Sequence, residues 1–135
     1  MTRRFRALKF YMSVKTFGLE EFRKAITYSI NLAETVEKHL RQSPNWEVIS
    51  PATLAVINFR YNPIGNDLSE DELNELNQYI SESVVDTKEA LLVTTILNEK
   101  VVLRMCLINP RTTLQDIKET FDLCARFANE RFSAV

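Results

Sequence analysis

The segment Val101-Val102-Leu103-Arg104-Met105-Cys106-Leu107-Ile108 constrains this chain more than any other. Extended backbone sends alternate side chains to opposite faces of a sheet. Val101, Leu103, Met105 and Leu107 then line one face, and Val102, Arg104, Cys106 and Ile108 the other. Both faces are apolar except for one guanidinium. An arginine so placed is not buried without an anionic partner, because burying an unpaired charge is very costly. That partner is either a carboxylate of this protein or a carboxylate of a ligand, and the segment alone leaves the choice open.

The chain has 135 residues, which suits one domain with one core. Hydrophobic residues make up 45% and charged residues 26%, an ordinary globular balance. A formal net charge of -1 gives no overall field towards nucleic acid or an anionic membrane. No apolar run approaches the roughly 20 residues of a membrane span. The basic start, Arg3, Arg4, Arg6 and Lys9, is followed by no apolar stretch, so it does not read as a secretory signal. It runs without a break into helix pattern, which argues against a transit peptide too.

Two glycines, Gly18 and Gly65, exclude a phosphate-binding loop, a dinucleotide fingerprint and a nucleophile elbow, all of which need glycine at fixed offsets. Cys106 and Cys124 have no metal-ligand spacing and occupy apolar positions. They read as core thiols of a reducing, cytoplasmic setting. His39, the single histidine, stands beside Glu37, Lys38 and Arg41 on a helix, and reads as solvated rather than catalytic. No metal site is expected.

Hydrophobic spacing predicts a helix over residues 4–17 with Phe5, Leu8, Met12 and Tyr11 on its stripe, broken at Gly18. A long helix follows over 19–42, with Leu19, Phe22, Ile26, Ile30, Ala33 and Leu40 in line. Its acids come first and its bases last, which complements the helix dipole. Strands are expected over 46–49, bounded by Pro51, and over 54–61. Ser69 and Glu72 form a capping box before a helix with Leu73, Leu76, Ile80 and Val84 on one side. A strand over 90–97 and a tight loop at Asn98-Glu99-Lys100 lead into the strand of Arg104. Thr113 and Asp116 can cap a last helix whose stripe is Leu114, Ile117, Phe121, Cys124, Ala128 and Phe132. The order predicts an α+β fold, a small mostly antiparallel four-stranded sheet with helices on one face. The first helix does not obviously belong to that layer.

Two further clusters carry other readings. Arg3, Arg4, Arg6 and Lys9 interleave with Phe5, Phe10 and Tyr11, a pattern that phosphate binding with base stacking would use. The balanced total charge favours a charged helix face instead. Glu70, Asp71, Glu72, Glu75 and Glu82 lie along one helix exterior, whereas paired-carboxylate catalysis needs acids across a cleft.

The stretch Arg3-Arg4-Phe5-Arg6-Ala7-Leu8-Lys9-Phe10 resembles part of the group II pyridoxal-phosphate-dependent amino-acid decarboxylases, which include the aromatic amino-acid, glutamate and diaminobutyrate enzymes. The resemblance continues in Phe17-Gly18-Leu19-Glu20-Glu21-Phe22, Leu40-Arg41-Gln42-Ser43-Pro44 and Ile57-Asn58-Phe59-Arg60. It is sharpest over residues 101–113. The resemblance implies the C-terminal end of a fold-type I enzyme, with residues 1–42 as a helical linker from the main domain and 43–135 as the small domain. It implies that the Schiff-base lysine, the cofactor-pairing aspartate and the stacking histidine belong to the larger domain. Lys9 is then not the Schiff-base lysine, Met1 is an added start, and no residue of this chain is catalytic, cofactor-binding or metal-binding. It implies pyridoxal 5′-phosphate in the intact enzyme, an amino-acid substrate, a homodimer, and neither nucleic acid nor membrane as partner.

For Arg104 the resemblance implies contact with the substrate α-carboxylate. Decarboxylation requires the breaking bond to stand perpendicular to the cofactor's π-system, and a fixed guanidinium can set that orientation. It further implies that a chain without the main domain exposes the surface around Arg104 and the apolar residues Phe5, Leu8 and Met12, a patch prone to self-association. The alternative from another class is a free-standing α+β interaction module without enzymatic activity.

Overall fold

The computed structural model describes residues 5–65 and 67–133. The chain begins with α1 (Arg6–Phe17) and α2 (Leu19–Gln42), separated by Gly18 at φ 82°, a backbone angle that favours glycine. The expected start of the first helix, with Arg3 and Arg4, lies outside the described residues. No residue of α1 is buried. It touches the rest of the molecule through α2, where Phe10 meets Phe22 edge to face at 6.1 Å.

The long helix has the expected ends, but its stripe needs correction. Ser29, Leu32, Ala33, Val36 and Leu40 are buried, whereas Leu19 and Ile26 are exposed. Only the second half of α2 lies over the sheet, so the apolar side chains of the first half run past the core. Glu37 ties the packed half down by accepting a hydrogen bond from the Ala52 N–H at 2.7 Å.

The four strands are β1 (Trp46–Thr53), β2 (Val56–Tyr61), β3 (Val93–Leu97) and β4 (Lys100–Cys106), with α3 (Glu70–Thr87) between the hairpins and α4 (Leu114–Ser133) last. They form one antiparallel sheet in the order β1-β2-β4-β3. The α+β expectation holds. Leu32, Val36 and Leu40 of α2, Leu76, Ile80 and Val84 of α3, and Ile117, Phe121 and Cys124 of α4 enclose a single cluster with Ile57, Phe59, Leu103 and Met105 of the sheet. Both capping boxes form. Glu72 N–H donates to Ser69 Oγ, and Ser69 N–H to Glu72 Oε2 at 2.8 Å. Thr113 N–H donates to Asp116 Oδ2, and Asp116 N–H to Thr113 Oγ1.

β1 extends through Pro51 instead of ending before it. Proline is tolerated there because β1 is an edge strand, and two register shifts against β2 already interrupt its ladder. β2 starts at Val56, two residues later than expected, because Leu54 and Ala55 form the hairpin turn with φ 49° and 63°. β3 begins three residues later than expected and β4 ends at Cys106, with Asn98 and Glu99 as a second left-handed turn.

The ladder between β2 and β4 spans Val56 to Phe59. Beyond it two asparagines of α3 supply partners. Asn77, fully buried, accepts from Tyr61 N–H at 2.7 Å and donates to Tyr61 C=O at 3.0 Å. Asn74 accepts from Val101 N–H at 2.7 Å. Burying those backbone groups unpaired would be unfavourable.

A left-handed conformation costs a non-glycine residue about 1–2 kcal/mol, and hairpin turns of this hand prefer Asn-Gly. Leu54 tolerates it while 78% exposed, so packing within this chain does not offset the strain. Leu54→Asn is expected to stabilise the isolated chain by about 1 kcal/mol in urea unfolding. An unchanged or lowered midpoint would show that Leu54 makes a stabilising contact after all.

Candidate functional site

Arg104 lies in the middle of β4, an inner strand, on the sheet face opposite the helices. Its inward neighbours Leu103 and Met105 are buried, and Arg104 itself is exposed. Asn58 of β2 is directly opposite on one side and Val93 of β3 on the other. Among the described residues no carboxylate pairs with its guanidinium. The exposed fork stands on a rigid strand, held by no carboxylate of the described residues.

Among the described residues the buried guanidinium is that of Arg60, which sequence reasoning did not single out. Arg60 is 2% exposed and is saturated by two carboxylates. Its Nε donates to Glu47 Oε2 at 2.6 Å, and its Nη1 and Nη2 to the two oxygens of Glu70 at 2.8 and 3.1 Å. Lys100 Nζ stands 3.7 Å from Glu47 and 4.0 Å from Glu70. Hydrogen bonds to Glu70 raise the Arg60 pKa further, against the burial that opposes it, with Glu47 adding to the rise. Burial pushes Glu47 up, but hydrogen bonds from Arg60 and Asn62 and the charges of Arg60 and Lys100 hold it below the ordinary carboxylate range. The Arg60 hydrogen bond likewise lowers Glu70. Glu70 is thus part of a structural ion network and not simply a member of a solvated acidic face.

The cysteines divide. Cys124 is fully buried, and burial pushes its thiol up to about 12, which leaves it inert. Cys106 is exposed on the same sheet face as Arg104, contrary to the expectation of a core thiol. Alternation carries Cys106 to the face of Arg104, which is exposed at this end of β4 although Val102, at the other end of the same face, is buried. His39 is exposed and stacks at 6.1 Å on Phe121.

Several clefts are lined by described residues. One of about 390 Å³ is apolar, between Phe22, Ile26 and Ile30 of α2, Leu54, and Ile108 and Pro110 after β4. A second lies beside Ser81, Glu82 and Asp86 of α3, and a third beside Cys106, Asp116 and Thr120. No lysine or arginine lines any of them. They offer neither an amine for an aldehyde cofactor nor a cation for its phosphate, so these residues do not by themselves fit pyridoxal phosphate. Among the described residues no three His, Cys, Asp or Glu side chains gather as a metal site, and no helix is long and apolar enough to cross a membrane. Apolar side chains remain in the open, Phe5 at 71%, Met12 at 55% and Ile108 at 72%.

Residues 1–62 match the model of the pyridoxal-dependent decarboxylase conserved domain. The chain is 46% identical over 117 residues to an aromatic-L-amino-acid decarboxylase of Bacillus atrophaeus, covering 87% of this chain and 24% of that protein. It is 31% identical over 130 residues to tyrosine decarboxylase 2 of Arabidopsis thaliana, covering 96% and 24%. In three dimensions it superposes on the crystal structure of Oryza sativa TDC with PLP and tryptamine at a TM-score of 0.83, with 24% identity, over 96% of this chain and 28% of that one. The chain spans about a quarter of the length of the curated relatives it matches. The superposition shows the shared fold, and the sequence matches place the chain in the group II pyridoxal-phosphate-dependent decarboxylases, as a portion of such an enzyme.

Proposed function

We propose that this chain is the C-terminal small domain of a cytoplasmic pyridoxal-phosphate-dependent L-amino-acid decarboxylase, and that Arg104 receives the substrate's α-carboxylate. The observation that carries this reading is the contrast between two arginines of one sheet. Arg60 has its fork filled by Glu47 and Glu70, whereas Arg104 presents an exposed fork that no described carboxylate fills. A guanidinium matches a carboxylate with two parallel hydrogen bonds and stays charged at any working pH. Placed on an inner strand, it holds the anion in one orientation. The cofactor, when bound, supplies the electron sink for the bond that breaks. Its binding residues are assigned to the larger domain.

Residues 1–42 serve in this reading as the linker and 43–135 as the small domain. The apolar cleft, Leu54 and the unburied residues of α1 pack against the larger domain of the same chain within a homodimer. The strain accepted at Leu54 supports that role, because it holds an apolar side chain outward. The 46% identity to a bacterial aromatic-L-amino-acid decarboxylase favours an aromatic L-amino acid as substrate. The two free cysteines suit a reducing compartment.

The test is carbon dioxide release. The intact enzyme containing this chain is expected to liberate it from L-tyrosine, L-tryptophan or L-phenylalanine with pyridoxal phosphate present, and the 135-residue chain alone to liberate none. Release by the isolated chain, or none by the intact enzyme with any of the three, would overturn the proposal.

A further inference from the structure

Arg104 has a neighbour whose hydrogen bonding is incomplete. Asn58 pairs with Ser50 across one side of β2 and with Arg104 across the other, so the three form a row over β1, β2 and β4. Asn58 Nδ2 donates to Ser50 Oγ at 2.8 Å. That bond commits the amide nitrogen to β1. The amide oxygen, Oδ1, is buried and accepts no hydrogen bond. A buried acceptor left so is unfavourable, and such groups are rare enough to require a reason.

The donor that could satisfy it is close. Residues directly opposite in antiparallel strands hold their Cβ atoms roughly 4.5–5.5 Å apart, well within the reach of an arginine. On its other flank Arg104 has Val93, which offers no side-chain acceptor. Along β4 the same face carries Val102 and Cys106, neither of which is a strong acceptor. Asn58 Oδ1 is therefore the lateral acceptor in this row that could hold the fork. A guanidinium has five N–H donors, and a bidentate carboxylate uses two of them, so one bond to Asn58 leaves the fork able to bind an anion.

We propose that Asn58, backed by Ser50, is a positioning residue for Arg104: its Oδ1 accepts from the guanidinium and turns the remaining edge of the fork towards the substrate carboxylate. The inference rests on the carboxylate-binding reading of Arg104 and adds the group that aims it. In the free domain water competes for the exposed guanidinium. Once the larger domain covers this face, the guanidinium loses that water and the bond to Asn58 gains strength.

The experiment uses the intact enzyme and whichever of L-tyrosine, L-tryptophan and L-phenylalanine it decarboxylates best, compared with the corresponding amine, which differs only by the carboxylate. The readout is discrimination, the affinity for the amino acid relative to that for the amine. Asn58→Leu removes the acceptor at similar volume and is expected to lower discrimination about tenfold, the worth of one hydrogen bond to a charged group. Amine affinity should stay within about twofold, which general damage to the site would not allow. In an Arg104→Met background, Asn58→Leu should change discrimination no further. Unaltered discrimination in Asn58→Leu, with Arg104→Met abolishing it, would overturn the role of Asn58 and leave that of Arg104 standing. Unaltered discrimination in Arg104→Met would remove the reading beneath both. Should the leucine variant not fold, Asn58→Asp serves, because its carboxylate would capture the guanidinium. Discrimination must then fall as well, and an unchanged value would overturn the proposal.

Discussion

Arg104→Met in the intact enzyme is expected to lower kcat/KM by a factor on the order of 100–1,000 while the protein stays folded. The size follows from the interaction removed. A preorganised charged donor acting in a site closed to water contributes about that factor when it is deleted. Its effect on stability should be small, within about 0.5 kcal/mol, because Arg104 is exposed and holds no carboxylate of this chain. Methionine keeps the length and apolar stem of the side chain and removes only the fork. Arg104→Lys should fall between the two, since an ammonium restores the charge without the planar pair of donors. The measurement is steady-state carbon dioxide release with urea unfolding in parallel. Wild-type turnover in the methionine variant would show that the carboxylate is held elsewhere. Lost turnover with matching loss of stability would make Arg104 a structural residue.

The two arginines also mark where sequence reading succeeds and stops. Helix limits and caps were legible, because α2 and α3 carry their own punctuation in Gly18, Ser43-Pro44 and the Ser69–Glu72 box. The inward face of β4 was legible from alternation. The Arg60 network was not, because its partners depend on register. Counting back from the Leu54-Ala55 turn without interruption sets Arg60 opposite Ile49. The two register shifts in β1 bring Glu47 there instead. No glycine or asparagine announces that turn, so the hairpin's origin was itself hidden. Glu70 reaches Arg60 only because α3 starts beside β2, a tertiary relation that no local pattern encodes. Arg104 stood out as a lone charge in an apolar run. Arg60, in a segment of mixed character, did not.

That network leads to a second large effect. Replacing Glu47 and Glu70 together by glutamine is expected to destabilise the chain by on the order of 3 kcal/mol at neutral pH. Arg60 would remain 2% exposed with no counter-charge, and Lys100, now close to both carboxylates, would become an uncompensated like-charge neighbour. The two glutamates are themselves 35% and 58% exposed, so solvent screens part of the attraction and the loss should stay at the lower end for a buried pair. Acid has the same effect on the unsubstituted protein. Both carboxylates have pKa values below the ordinary 4.5, so the folded state binds protons less readily than the unfolded chain. Their stabilisation is complete above that ordinary value and is lost as pH falls through the lowered ones. The double variant, lacking both groups, should therefore have a flatter stability profile from neutral pH down through those lowered values, converging on the unsubstituted protein at the acid end. Urea midpoints across that range provide the measurement. Parallel profiles would mean that other carboxylates govern acid unfolding, and an unchanged midpoint at neutral pH would mean that Arg60 tolerates burial without its partners.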